Sequence, residues 1–130
     1  MSNFSNIKTG VIGVGVMGNY HSNIYKSLSN FVGVSDVNEE LGRQIANKYG
    51  VKFFSDYEEL LHVVDAVSIA VPTKFHFEIT NLAIEKGVSV LVEKPLCSSP
   101  ELSRKIHTLS ESKNVTVSVG HIERFNPVIT

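Results

Sequence analysis

Short runs of β-branched and aromatic residues alternate along this chain with longer stretches whose apolar residues recur every three or four positions. The runs occupy 10–14, 31–35, 51–54, 66–71, 88–92 and 115–119. Each is nearly continuously apolar, as expected of parallel strands covered on both faces. Between them, Tyr20, Ile24 and Leu28 fall on one helical stripe. So do Leu41, Ile45 and Tyr49, and later Leu102, Ile106 and Leu109. Ser55-Asp56-Tyr57-Glu58 has the form of a capping box, and Ser99-Pro100-Glu101 places a cap, a proline and an acid at a helix start. Gly50 and Gly87 sit where helices end and a left-handed residue is needed. Six strands joined by five helical crossovers predict an α/β fold: a doubly wound parallel sheet in the order 3-2-1-4-5-6.

Composition narrows the function classes. A chain of 130 residues buries a single core without staples. A formal net charge of −1 provides no electrostatic footprint for nucleic acid or an anionic membrane. The one cysteine, Cys97, excludes an internal disulfide, and no Cys/His spacing suggests a metal site. The polar start, Met1-Ser2-Asn3, lacks the apolar region of a signal peptide. No apolar stretch approaches the roughly 20 residues of a membrane span. The expected location is the cytoplasm.

Gly13-Val14-Gly15-Val16-Met17-Gly18 joins the first strand to the first helix. Gly13 permits a tight turn, Gly15 lets the backbone approach a pyrophosphate, and Gly18 lets helix and strand pack closely. The amides of Val16 and Met17 then open the helix, whose N-terminus attracts phosphate. This context predicts a Rossmann dinucleotide site over residues 1–120. Asp36 ends the second strand at the spacing of the ribose-binding acid. Its carboxylate can accept from ribose hydroxyls and repels a 2′-phosphate, which predicts NAD rather than NADP. Asp36 could also cap the helix beginning near Asn38. His21, in the first turns of helix one, reads as a packed or solvated helix histidine.

Ligands of such sheets lie outside the carboxyl ends of the strands. There the chain carries Val71-Pro72-Thr73 with His76 following, Val92-Glu93-Lys94-Pro95-Leu96, and Arg124-Phe125-Asn126-Pro127 after His121. With the glycine turn, these motifs resemble the N-terminal domain of the Gfo/Idh/MocA family of nicotinamide-dependent oxidoreductases, over almost the whole chain. The resemblance implies hydride transfer between NAD and a hydroxyl of a sugar, polyol or nucleotide-sugar. It implies that Lys94 is catalytic, handling the substrate hydroxyl proton at the nicotinamide ribose. Glu93 would help hold that ribose, and Val71, Pro72, Thr73 and His76 would line the dinucleotide. Pro95 would follow a cis peptide bond. His121, Arg124 and Phe125 would stand on the substrate side, where residues 121–130 begin the crossing to a second domain. That domain would supply the main acid/base and the oligomer interface. The chain is therefore expected to be the cofactor half of a dehydrogenase, inactive alone. Lysine chemistry agrees, because a partly desolvated amine is a tunable proton partner for carbinol oxidation. The rival readings are a non-catalytic NAD(P)-sensing regulator and a FAD or S-adenosylmethionine site on a similar sheet.

Overall fold

The computed structural model describes residues 5–120. Six parallel strands, β1 Lys8–Ile12, β2 Asn30–Ser35, β3 Lys52–Phe54, β4 Ala66–Ile69, β5 Ser89–Glu93 and β6 Val117–Gly120, form one sheet. Their order is β3-β2-β1-β4-β5-β6, as the sequence predicts. Helices α1 Val16–Leu28, α2 Glu39–Tyr49, α3 Tyr57–Leu61, α4 His76–Glu85 and α5 Pro100–Lys113 carry the crossovers. A single 3-10 turn, Thr73–Phe75, precedes α4.

Successive side chains of a strand point to opposite faces. On β1, Val11 joins Val34, Ile45 and Tyr49 beneath α1 and α2, whereas Ile12 joins Leu60, Ile69 and Ile79 beneath α3 and α4. Full burial of side chains such as Leu60 and Ile69 contributes about 1.5–3 kcal/mol each. A third cluster, Ile84 with Cys97 and Ile106, seats α5 on α4. The even numbers of β4 and the odd numbers of β5 face the α1 side, and there the apolar pattern breaks. Ser68 is buried on that face, and Ser89, Leu91 and Glu93 are half-buried, while Val90 and Val92 are fully enclosed on the other. The physical reason is coverage. Helix α4 packs on β4 and β5, but α1 lies against β1, β2 and β4.

Helix α1 also overturns the stripe expected of it. Tyr20 and Leu28 are each 54% exposed, and the buried residues are Gly18, His21 and Ser22. A Cβ on Gly18 would lie 1.7 Å from the Gly13 carbonyl oxygen. The first turns of the helix lie too near the glycine turn for a side chain at Gly18, and His21, Ser22 and the half-buried Tyr25 complete its inner face. Helices α2 and α5 do bury their expected stripes, through Ile45 and Tyr49 and through Ile106.

The helix ends follow local chemistry. Gly50 and Gly87 adopt positive φ as expected, and Asn114 does the same at the end of α5. Ser99 caps α5 by accepting from the Leu102 amide. The expected capping box at Ser55 is corrected: α3 begins one residue later, and Asp56 is its cap, accepting from the Glu58 amide at 2.9 Å. Asp56→Ala should therefore lower the unfolding free energy by about 1 kcal/mol. Ser55→Ala should change it by less than about 0.5 kcal/mol, as read from urea denaturation.

Candidate functional site

The three glycines between β1 and α1 are required for three different reasons. Gly13 has φ of +91°, and a Cβ there would stand 2.6 Å from the Ala70 carbonyl oxygen. Gly18 has no room beside Gly13, as described. Gly15, the N-cap of α1, has an ordinary φ of −68°, and a Cβ there would meet nothing within 4 Å. Its missing side chain keeps open the space outside the helix.

That helix end is chemically unlike most of the others. Helices α2, α3 and α5 are capped by Asn38, Asp56 and Ser99, and each has acid in its first turn. Helix α1 has no capping side chain and no acid there. The amides of Val16 and Met17, and the positive end of the helix dipole, face the space that Gly15 leaves. These residues fit a dinucleotide pyrophosphate.

Asp36 stands at the end of β2, across the turn. Its Oδ2 accepts from the Val14 amide at 2.8 Å and its Oδ1 from the Asn38 amide at 2.7 Å. Asn38, not Asp36, is the cap of α2, accepting from the Leu41 amide. The two amides fix the plane of the Asp36 carboxylate, and each oxygen keeps a second lone pair for a hydroxyl donor.

A cavity of about 530 Å³ opens over the carboxyl ends of β1, β2 and β4, lined by Gly13, Gly15, Asp36, Val71 and Pro72. Small-molecule sites run to roughly 300–1,000 Å³. Val37, Leu41, Tyr57, Phe75, Glu78 and Ile79 are among the other residues of its walls, and sequence reasoning named none of these six as site residues. Val37 and Phe75 are exposed apolar side chains in loops after strands, which is the feature that could have revealed them. The Tyr57 hydroxyl donates to Glu78 Oε2 at 3.5 Å. Burial, and then the charge of Glu78, raises the Tyr57 phenol above its ordinary range.

On the other side of the glycine turn, His21 does more than pack. Its Nε2 lies 2.6 Å from Glu93 Oε2, and its Nδ1 lies 3.2 Å from Ser68 Oγ. Ser68 Oγ is in turn 2.6 Å from the Tyr25 hydroxyl. Burial raises the Tyr25 phenol, and the Ser68 hydrogen bond partly offsets that rise. Lys94 follows Glu93 directly and is exposed. The Lys94–Pro95 bond is cis, as the resemblance implies.

His76 departs from its expected place along the dinucleotide. It is 1% exposed, and its Nε2 lies 2.7 Å from the Val71 carbonyl while its Nδ1 faces those of Pro95 and Leu96. The ring ties the loop after β4 to the loop after β5, so it shapes the site from behind. Thr73 is half-buried in the 3-10 turn, one residue beyond the cavity-lining Pro72. His121, Arg124 and Phe125 lie outside the described residues. Cys97 is buried, and burial raises its thiol against a weaker opposing hydrogen bond with Ser103. Among the described residues no cluster of His, Cys, Asp and Glu could hold a metal ion, and no helix is long and apolar enough to cross a membrane.

The sequence model of an oxidoreductase family with an NAD-binding Rossmann fold matches residues 7–121. UDP-N-acetylglucosamine 3-dehydrogenase of Acidithiobacillus ferrooxidans is 36% identical over 123 residues, covering 95% of this chain and 39% of that protein. Its crystal structure superposes with a TM-score of 0.92 at 35% identity, over 95% of this chain and 41% of its own. The scyllo-inositol 2-dehydrogenase (NAD(+)) of Bacillus subtilis is 33% identical over 127 residues, covering 93% of this chain and 37% of that protein. GenD2 from gentamicin A biosynthesis, solved in complex with NAD, superposes with a TM-score of 0.88 at 27% identity, over 92% of this chain and 36% of its own. The chain thus spans about two fifths of the length of the curated relatives it matches. Its glycine turn, its sheet and these matches agree: the chain belongs to this oxidoreductase family, and residues 7–121 are an NAD-binding Rossmann domain.

Proposed function

We propose that this chain is the cofactor half of an NAD-dependent dehydrogenase acting on a hydroxyl of a sugar, polyol or nucleotide-sugar. The observation that carries the reading is the open space at Gly15, set between the uncapped amides of α1 and the carboxylate of Asp36. The named activities of the relatives, on UDP-N-acetylglucosamine and on inositols, support the substrate class. NAD supplies the hydride acceptor when it is bound. Gly13, Gly15, Val16, Met17 and Gly18 hold its pyrophosphate, and Asp36 accepts from the adenosine ribose. Val71, Pro72 and Thr73 border the dinucleotide, and His76 holds their loop in register from behind. Glu93 receives the second ribose. Lys94 Nζ handles the proton of the substrate hydroxyl, which must leave as hydride departs from the same carbon. Residues on the substrate side, His121, Arg124 and Phe125 among them, lead toward a further domain that forms the rest of the pocket and the oligomer contacts. We place the protein in the cytoplasm, in keeping with its lone buried thiol.

NADH should bind at least about tenfold more tightly than NADPH in calorimetric titration, because Asp36 sets its charge against the 2′-phosphate. Asp36→Ala should narrow that difference, and tighter binding of NADPH by the unaltered chain would overturn the preference. Gly15→Ala should weaken NADH binding by about tenfold while lowering the unfolding free energy by about 1 kcal/mol or less. Gly18→Ala, which drives a methyl into the Gly13 carbonyl, should lower it by about 3 kcal/mol in urea denaturation. In the protein joined to its substrate half, Lys94→Ala should reduce kcat by roughly 10²- to 10⁴-fold. Retained turnover would remove Lys94 from the chemistry.

A further inference from the structure

We propose that His21 is a positioning residue for the second nucleoside of the dinucleotide, acting by holding the Glu93 carboxylate. This rests on the dinucleotide reading given above.

Two carboxylates at strand ends, Asp36 and Glu93, stand on opposite sides of the glycine turn. Asp36 follows β2 on one side, and Glu93 ends β5 on the other, beyond β4. A dinucleotide whose pyrophosphate lies at the N-terminus of α1, with one ribose at Asp36, sends its other nucleoside over β4 and β5. Glu93 is the carboxylate that stands there. Each acid is held by donors of the protein. Backbone amides of Val14 and Asn38 hold Asp36, whereas the imidazole of His21 holds Glu93 at 2.6 Å.

The support extends behind His21. One set of protons satisfies the whole row: Tyr25 O–H donates to Ser68 Oγ, Ser68 O–H donates to His21 Nδ1, and His21 Nε2–H donates to Glu93 Oε2. Side-chain exposure of His21 and Glu93 is 11% and 16%, so the bond is formed largely out of water, where a charge-assisted contact orients most strongly. His21 occupies one carboxylate oxygen and fixes the plane of the group, which turns the other oxygen toward the ribose hydroxyls. Without the imidazole, the three torsions of a glutamate would leave that oxygen undirected, and binding would bear the cost of ordering it.

The test compares two ligands on the 130-residue chain. NADH spans both sides of the turn, whereas ADP reaches only the Asp36 side. His21→Ala should weaken NADH binding by about tenfold in calorimetric titration and leave ADP binding unchanged. Glu93→Ala should do the same, and the double variant should be no weaker than either single one. His21→Gln places an amide donor at similar reach and should restore most of the NADH affinity. Equal losses for NADH and ADP, additive losses in the double variant, or failure of Gln to restore binding would overturn the positioning role. Urea midpoints of each variant identify any loss of fold, in which case Ser68→Ala, which cuts the row behind the imidazole, should still weaken NADH selectively. If the unaltered chain binds NADH no better than ADP, the dinucleotide reading itself fails and takes this one with it. If it binds NADH better and His21→Ala has no effect, only the positioning role is lost.

Discussion

Helix α1 rests on β1 with no space for a methyl group between Gly18 and the Gly13 carbonyl, and much of the structure adapts to that contact. The close approach places the helix N-terminus directly beyond the end of β1, so its uncapped amides open onto the edge where the strands end. It also decides what the helix can bury. At Gly18 no side chain fits, and Val16, Tyr20 and Leu28 turn outward, while Gly18, His21, Ser22 and the half-buried Tyr25 form the inner face.

The two faces of the sheet consequently differ in character. Beneath α3 and α4 the core is aliphatic and aromatic, and it carries most of the burial that stabilises the fold. Beneath α1 a row of hydroxyls, one imidazole and one carboxylate lies between helix and strand. Burying such groups costs free energy unless each finds a partner. Here they do. Ser22 donates to the Gly18 carbonyl, Thr9 pairs with Ser29, and Tyr25, Ser68, His21 and Glu93 join end to end. The contrast lies in α4, where the buried hydroxyl of Thr80 is without a partner among the described residues. A polar layer in which every member is satisfied favours one arrangement of helix on strand over neighbouring ones. The site therefore inherits its geometry from the same layer that fills the gap under α1.

Asp36 and Glu93 stand at strand ends on either side of the glycine turn, and donors of the protein hold each carboxylate. The means differ because the neighbours differ. Asp36 lies within reach of two backbone amides in adjacent loops, and Glu93 lies over a helix side chain. His76 adds a third restraint by tying the loop after β4 to the loop after β5, so the lips of the site are braced against each other.

Local chemistry was legible in the residues themselves. Strand and helix alternation, the glycine turn and the left-handed Gly50 and Gly87 rest on interactions between near neighbours or on backbone sterics, which short patterns express, and the sheet order follows from the rules that govern crossovers between parallel strands. Several features were not legible. The buried face of α1 is one, because periodicity locates a stripe but not the distance to the backbone beneath it. Ser55 and Asp56 are both competent caps in sequence, and only the helix start separates them. Sequence shows His21 as a packed or solvated helix histidine and does not show what His76 faces, because their partners lie 72 and 19 residues away in Glu93 and Pro95. Val37, Phe75, Tyr57 and Glu78 meet around one cavity only when the loop after β2, the start of α3 and the start of α4 converge. The sequence alone therefore determined the strand and helix alternation, the glycine turn and the acid that follows β2, since strand and helix patterns and glycine sterics are expressed in short stretches of chain. Tertiary structure decided which polar residues face each other across the sheet, because side chains distant in sequence are brought together only by packing.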